Sequence, residues 1–172
     1  QLTNSYTGKQ GVVRASVITP DGSQLIVGGD FNRVNGQRAD YIARFDVATG
    51  RFLGGAGNNG VDGPVSSLAV SPDGRSLYVG GRFSRVGNSK RKNVGGIDLV
   101  TNKTLPWAPV ITTPTQNEAL RVTALAVSGD SQRVFVGGPF QQVNGQAQQG
   151  FAATNAADGS LAWEGVGAAL QR

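Results

Sequence analysis

The sequence predicts an all-β protein built from three four-stranded antiparallel units, and three observations carry that prediction. The first is a seven-residue phrase that occurs three times: LIVGGDF at 25–31, LYVGGRF at 77–83 and VFVGGPF at 134–140. Each copy sets three apolar residues before a Gly pair and a Phe two places after it. The second is spacing. From the first Gly of each pair to the Asp or Asn that closes the next apolar run is 18 residues in all three copies (28 to 46, 80 to 98, 137 to 155), and Asp21, Asp73 and Asp130 each stand seven before the same Gly. The third is where the copies differ. The repeat period is 52 and then 57 residues, and the extra five fall between Leu105 and Arg121, where Pro106, Pro109 and Pro114 mark an extended connection. Insertions confined to a connection are expected of stacked structural units. A unit of about 50 residues and four short strands is the size of a propeller blade. The predicted architecture is therefore a β-propeller of three four-stranded antiparallel blades in one domain, 1–172, with blades at about 12–60, 61–118 and 119–165.

The elements follow in order. Residues 1–11 carry little signal: Leu2 and Tyr6 fit a short edge strand that Gly8 and Gly11 end. Residues 12–18 are rich in β-branched side chains, and 19–22 (TPDG) supply a turn, with Pro presetting φ and Gly admitting a positive one. Residues 25–29 form the second strand. A longer polar loop follows, in which Asn35-Gly36 signals a tight turn. Residues 41–47 make the third strand, 48–50 a turn, and 51–53 a short fourth. The second copy repeats this plan at 65–70, 71–74, 77–81, 94–100, 101–103 and 104–107. The third runs 122–127, 128–130, 134–138, 151–155, 158–159 and 161–163. The strands are mostly continuous apolar runs, as suits sheets covered on both faces.

Composition narrows the chemistry. Gly is abundant, at 26 residues, but follows no three-residue period, so the chain is not collagen-like. Recurrent apolar runs argue against disorder, and none approaches the roughly 18 residues that span a membrane. Cys, Met and His are absent, which removes disulfides, thiol nucleophiles, imidazole bases and the commonest transition-metal ligands. No cofactor and no metal site is expected. The chain opens on QLTNS without an initiator Met or signal peptide and ends on Arg172, and so reads as a mature or excised product.

The stretch 68–81 (LAVSPDGRSLYVGG), continued by Phe83 and 86–88 (VGN), resembles the delta-60 β-propeller repeat, and the first copy extends the likeness with 34–36 (VNG) and 42–46 (IARFD). The apolar run before the Gly pair is also similar to kelch blades of the galactose-oxidase type. The likeness covers roughly residues 12–165. It implies a secreted or cell-surface bacterial setting and carries over no catalytic residue, because the copper-radical oxidases of the kelch group use Cys, Tyr and His.

Three blades are too few to close a ring, since propellers have about four to eight. An open arc would expose two apolar sheet faces. The expected remedy is a homodimer of six blades, or completion of the ring by other chains.

Propeller ligands sit on the face that carries the loops between second and third strands, here 30–41, 82–93 and 139–150. The first loop has Arg33 and Arg38 offset by Asp30 and Asp40, with Asn35 in its turn; the third has no charge. The second holds Arg82, Arg85, Lys90, Arg91 and Lys92 with no acid, matching the chain's whole formal charge of +5. Such a patch can steer an acidic glycan or surface polymer. Nucleic acid is disfavoured because few aromatics interleave with the charges.

The remaining motifs read as structure. The Gly pairs permit close backbone approach and unusual φ, with Phe31, Phe83 and Phe140 plugging the gaps between sheets. Trp107 and Trp163 read as blade-to-blade packing. Residues 55–60 (GAGNNG) match GxGxxG but precede a strand, not a helix. Asn102-Lys-Thr104 is a lone glycosylation sequon. Asp21, Asp46, Asp73, Asp98, Asp130 and Asp158 belong to turns or strand ends, which leaves Asp30, Asp40, Asp62, Glu118 and Glu164 as unrepeated acids. A glycosidase would need two of these about 5–9 Å apart, and Asp30 and Asp40 share one loop. The sequence thus favours a non-catalytic extracellular module for binding or assembly. The alternatives are a carboxylate-dependent polysaccharide hydrolase or lyase, and a structural subunit of a surface layer or filament.

Overall fold

The computed structural model describes residues 1–113 and 120–163. Among them there is no helix, and every strand pairing is antiparallel. Blade 1 has four strands in meander order, Val12–Ile18, Gln24–Asp30, Ile42–Asp46 and Phe52–Gly54. Blade 2 has Val65–Val70, Ser76–Gly81 and Val94–Asp98, and blade 3 has Ala124–Val127, Arg133–Gly137 and Phe151–Asn155. Their fourth strands shrink to single antiparallel bridges, Ile97 to Thr104 and Thr154 to Leu161. Beside the blade 2 bridge, Leu105 donates to Gly96 O at 2.8 Å.

Alternation sends each strand's side chains into two different interfaces. Ile26 and Ile42 of blade 1 meet Val65, Leu77, Val79 and Ile97 of blade 2 in one buried cluster. The opposite face of blade 2, with Tyr78, Val94 and Trp107, meets Val122, Val134, Val136 and Ala152 of blade 3 in a second. Phe31, Phe83 and Phe140 are all buried, each in a different cluster, which gives them the plugging role read from the sequence. The Gly pairs serve close approach alone. None of Gly28, Gly29, Gly80, Gly81, Gly137 and Gly138 has a positive φ, which corrects the expectation of unusual backbone there. The left-handed positions lie further on, at Tyr41, Asn93 and Gly150, each thirteen residues after the first Gly.

The expected edge strand at the N-terminus is present as a hairpin, Leu2–Asn4 with Lys9–Gln10, docked on Arg33–Val34. Tyr6 lies in its turn and is exposed, not part of the strand.

The turn before the second strand makes the same bond in every blade. Thr19, Ser71 and Ser128 each donate a hydroxyl hydrogen bond to the Asp two residues on. Asp46 and Asp98 accept the backbone amides of Thr49 and Thr101 at 2.8 and 3.0 Å, and Asp158 accepts that of Ser160 at 2.8 Å. The Thr19 hydroxyl bond, with bonds from Ser23, holds Asp21 at about 2, down from 3.8. Hydrogen bonds likewise lower Asp46, Asp73, Asp98, Asp130 and Asp158. A carboxylate whose folded pKa lies below its unfolded one contributes stability that is complete above the unfolded value and lost as pH falls through the folded one. The thermal midpoint is therefore expected to hold down to about pH 4 and to fall steeply towards about pH 2. A melt series that stays flat over that window would show that these turn bonds contribute nothing to stability.

Candidate functional site

Each loop between second and third strands folds into a small hairpin: Arg33–Val34 with Gln37–Arg38, Arg85–Val86 with Ser89–Lys90, and Gln142–Val143 with Gln146–Ala147. The segment entering each blade pairs with that blade's hairpin, through Leu2 to Val34, Val61 to Val86 and Ile111 to Val143. Loops and inter-blade links therefore build one side of the arc together. The turn residues Asn35 and Asn144 have φ of 48° and 52°, the left-handed region that Asn tolerates, and Gly87 takes that place in blade 2.

The geometry divides the basic residues read from the sequence. Arg82 and Lys92 line a cleft of about 620 Å³ on the blade 2 side of blade 3's entering segment. Arg85 and Lys90 are exposed on the hairpin, where the Arg85 guanidinium approaches Asn88 O. Arg91 is half-buried and turned into the blade, donating to Lys90 O at 2.9 Å and Leu105 O at 3.0 Å. In blade 1, Arg33 donates to Gly36 O, Asn35 accepts from the Gln1 amino group, and Arg38 forms an ion pair with Asp40 at 2.5 Å. The cleft thus keeps two of the five cations of 82–93.

Three residues of the cleft were not legible as site residues. Asp62, on the entering segment of blade 2, supplies the acid that loop 82–93 lacks; its Oδ1 accepts the Ser84 and Arg85 amides at 2.8 and 2.9 Å. Thr112 comes from blade 3's entering segment. Asn93 is 4% exposed, and its Nδ2 has no hydrogen-bond partner. The available signal was the repeat register, which sets Asn93 against Tyr41 and Gly150.

Blade 1 shows what that register means. Tyr41 is buried among apolar side chains. Burial pushes its hydroxyl above the usual phenol range, and Tyr6, Asp30, Asp40 and Asp62 push it further. Asp30 and Asp40 thus both act on Tyr41, but each already has a partner: Asp30 accepts Asn4 Nδ2 at 2.6 Å, and Asp40 holds Arg38. Glu118 and Glu164 lie outside the described residues. Among the described residues no group of three His, Cys, Asp or Glu could hold a metal, and no helix is long and apolar enough to cross a membrane.

The sequon is built into the blade link. Asn102 Oδ1 accepts the Gly57 amide at 2.7 Å, and Thr104 Oγ1 donates to Val86 O. The GxGxxG stretch is the other side of that contact and precedes no helix.

Successive antiparallel meanders stacked face to face define a β-propeller arc, a fold that suggests a binding or assembly module. Comparison with known proteins agrees. Residues 19–48 match a family described as a β-propeller domain of unknown function, DUF5122. A search of curated proteins finds no match. Among solved structures, the chain is similar to U3-55K (19% identity, TM-score 0.58, covering 91% of this chain and 39% of that one) and to the WD40 repeats of RRP9 (18%, 0.55, 95% and 42%). It is also similar to Kuenenia stuttgartiensis hydrazine synthase (17%, 0.51, 83% and 32%). At these identities the likeness is one of fold, and the chain spans about a third to two-fifths of the structures it matches.

Proposed function

We propose that this chain is a non-catalytic, extracellular binding and assembly unit of the delta-60 type, whose arc is completed by a second copy to make six blades. The observation that carries this reading is a contrast between two equivalent faces. In blade 2, Trp107 packs edge-on against Tyr78, with ring centroids 5.0 Å apart, and blade 3 covers the pair completely. In blade 3, Phe135 occupies the place of Tyr78, two residues before the first Gly, and Trp163 packs on it at 5.7 Å. Phe151 stacks on the same ring at 6.1 Å. Trp163 is nevertheless 49% exposed. At the other end, Ile18 of blade 1 is exposed beside Leu25, Phe45 and Phe52, which are only partly buried. One end is aromatic and the other apolar and aromatic, as the two halves of a blade-to-blade contact should be.

Light scattering on the purified chain is expected to return twice its 17.8 kDa mass. Trp163→Asp should shift the protein to monomer, because a carboxylate buried in that contact has no partner. A monodisperse wild-type monomer would sink the dimer.

A further inference from the structure

We propose that two copies join through a lock in which Val13 of each copy seats over Gly137 of the other, with the Thr123 hydroxyl donating to the carbonyl oxygen of that Val13. This rests on the six-bladed ring proposed above and specifies the contact that closes it. The two blade joints inside the chain supply the pattern, and the two end blades carry its unmatched halves.

The pattern is a knob set over a glycine. Val13, Val65 and Val122 share one repeat position, fifteen residues before the first Gly of their blades. Val65 of blade 2 lies over Gly28 of blade 1, where an added Cβ would meet its Cγ1 at 2.5 Å. Val122 of blade 3 lies over Gly80 of blade 2 in the same way, at 2.7 Å. Both valines are fully buried. The first Gly of a pair is therefore the socket for the following blade, a close approach that a side chain would block.

Both end blades hold half of this contact. Val13 has no blade before it and is 45% exposed. Gly137 is the third socket. Among the described residues, the atoms nearest to a Cβ placed on it come from Ala124, at 3.2 Å, and Gly150, at 3.8 Å, and both belong to blade 3 itself. Knob and socket belong to one sequence, so a second copy is the partner that matches both ends.

A hydroxyl accompanies the socket. Ser66 Oγ donates to Val122 O at 2.6 Å across the blade 2 to blade 3 joint, and lies 3.4 Å from Gly80 O in its own blade. Thr123 stands at the same repeat position, fourteen before the first Gly, and its Oγ1 lies 3.5 Å from Gly137 O. The open face of blade 3 thus repeats the local geometry of blade 2's covered one. The counterpart of Val122 O at the next joint is Val13 O of the second copy. Blade 1 has Arg14 at this position and no hydroxyl.

One residue departs from the pattern. Leu68 and Leu125 stand twelve before the first Gly, and Leu68 Cδ1 would lie 3.3 Å from a Cβ on Gly28. Blade 1 has Ser16 there, exposed. The joint between copies is less apolar at this point than the joints within a chain.

The chain has no Cys, so cross-linking reads the contact directly. The Cβ of Val65 would lie 3.1 Å from a Cβ on Gly28, and that of Val122 3.0 Å from one on Gly80. A small relaxation brings such a pair to the roughly 3.5–4.5 Å of a disulfide. Full-length Val13→Cys and Gly137→Cys chains, mixed and oxidised with diamide, should give a covalent dimer. Val13→Cys mixed with Gly129→Cys, in the turn beyond the far end of blade 3's first strand, should not. Ser16→Leu should tighten the dimer by about tenfold or more, since a two-fold ring buries the added side chain twice. Thr123→Val should weaken it by about tenfold, with an unchanged melting transition below the dissociation concentration. A wild-type dimer by light scattering that gives no Val13 to Gly137 link, or links equally to Gly129, would overturn the lock and leave the ring standing. Unchanged dimer affinity in both Ser16→Leu and Thr123→Val would overturn it as well, independently of whether the cysteine variants fold. A wild-type monomer that gives no link would overturn the lock together with the ring.

Discussion

Trp107→Ala is expected to lower the unfolding free energy by about 3–5 kcal/mol, the range for truncating a large buried aromatic side chain. Trp107 has no exposed surface and sits within the blade 2 to blade 3 cluster. Its indole N–H donates to Thr154 Oγ1 at 2.9 Å, and that hydroxyl donates in turn to Val134 O at 2.9 Å. The substitution therefore removes apolar burial, the edge contact with Tyr78 and one member of a buried polar chain. Trp107→Phe should recover most of the packing but not the hydrogen bond, leaving a deficit of about 1–2 kcal/mol. Urea unfolding of both variants checks this. Similar midpoints for wild type and Trp107→Ala would mean that blade 3 does not cover this ring.

Gly81→Ala is expected to cost about 3 kcal/mol or more, at the upper end for overpacking. The added Cβ would stand 2.3 Å from Pro64 O and 3.0 Å from Val65 Cα. Both are backbone atoms at the entry to the strand that opens the same blade, so no side-chain rotation can relieve the clash. The ladder register shifts at this point, between Gly80 and Gly81, so the first strand is already bent close to it. Gly29 repeats the arrangement in blade 1, with Val12 O at 2.0 Å from the same imagined atom. Gly129→Ala is the control: it sits in an exposed turn with open space around it, and its change should stay within about 0.5 kcal/mol. Equal losses at Gly81 and Gly129 would show that the Gly pair does not hold two strands in close approach.

Repetition made the frame legible. A local feature such as the hydroxyl-to-Asp turn at Thr19, Ser71 and Ser128 depends on residues two apart, so the chain states it directly. The 18-residue interval fixed strand lengths because side chains alternate, and a slip of one residue would exchange the two faces of a blade. The fourth strands were less legible, since apolar character at 104–107 does not reveal that the ladder stops at one bridge. The hairpin at 33–38 was visible only as an Asn-Gly turn within a polar loop, and the one at 142–147 was not read at all, for their two-residue strands are too short to show a period.

The candidate site was legible in part and for the same reason. Composition located the cations of 82–93, but a sum of charge cannot tell a side chain facing solvent from one bonded to Leu105 O, as Arg91 is. Asp62 and Thr112 are remote from that loop in sequence and reach the cleft through strand pairing of the entering segments.

The sequence by itself determined the number of blades, their order and the Phe plugs, because each rests on short-range spacing that recurs three times. Only the tertiary structure decided which aromatic pair is covered, where the polar loops close, and that one tyrosine's replacement by asparagine coincides with an open cleft. Those outcomes depend on distances between neighbouring blades, and no local pattern along the chain encodes them.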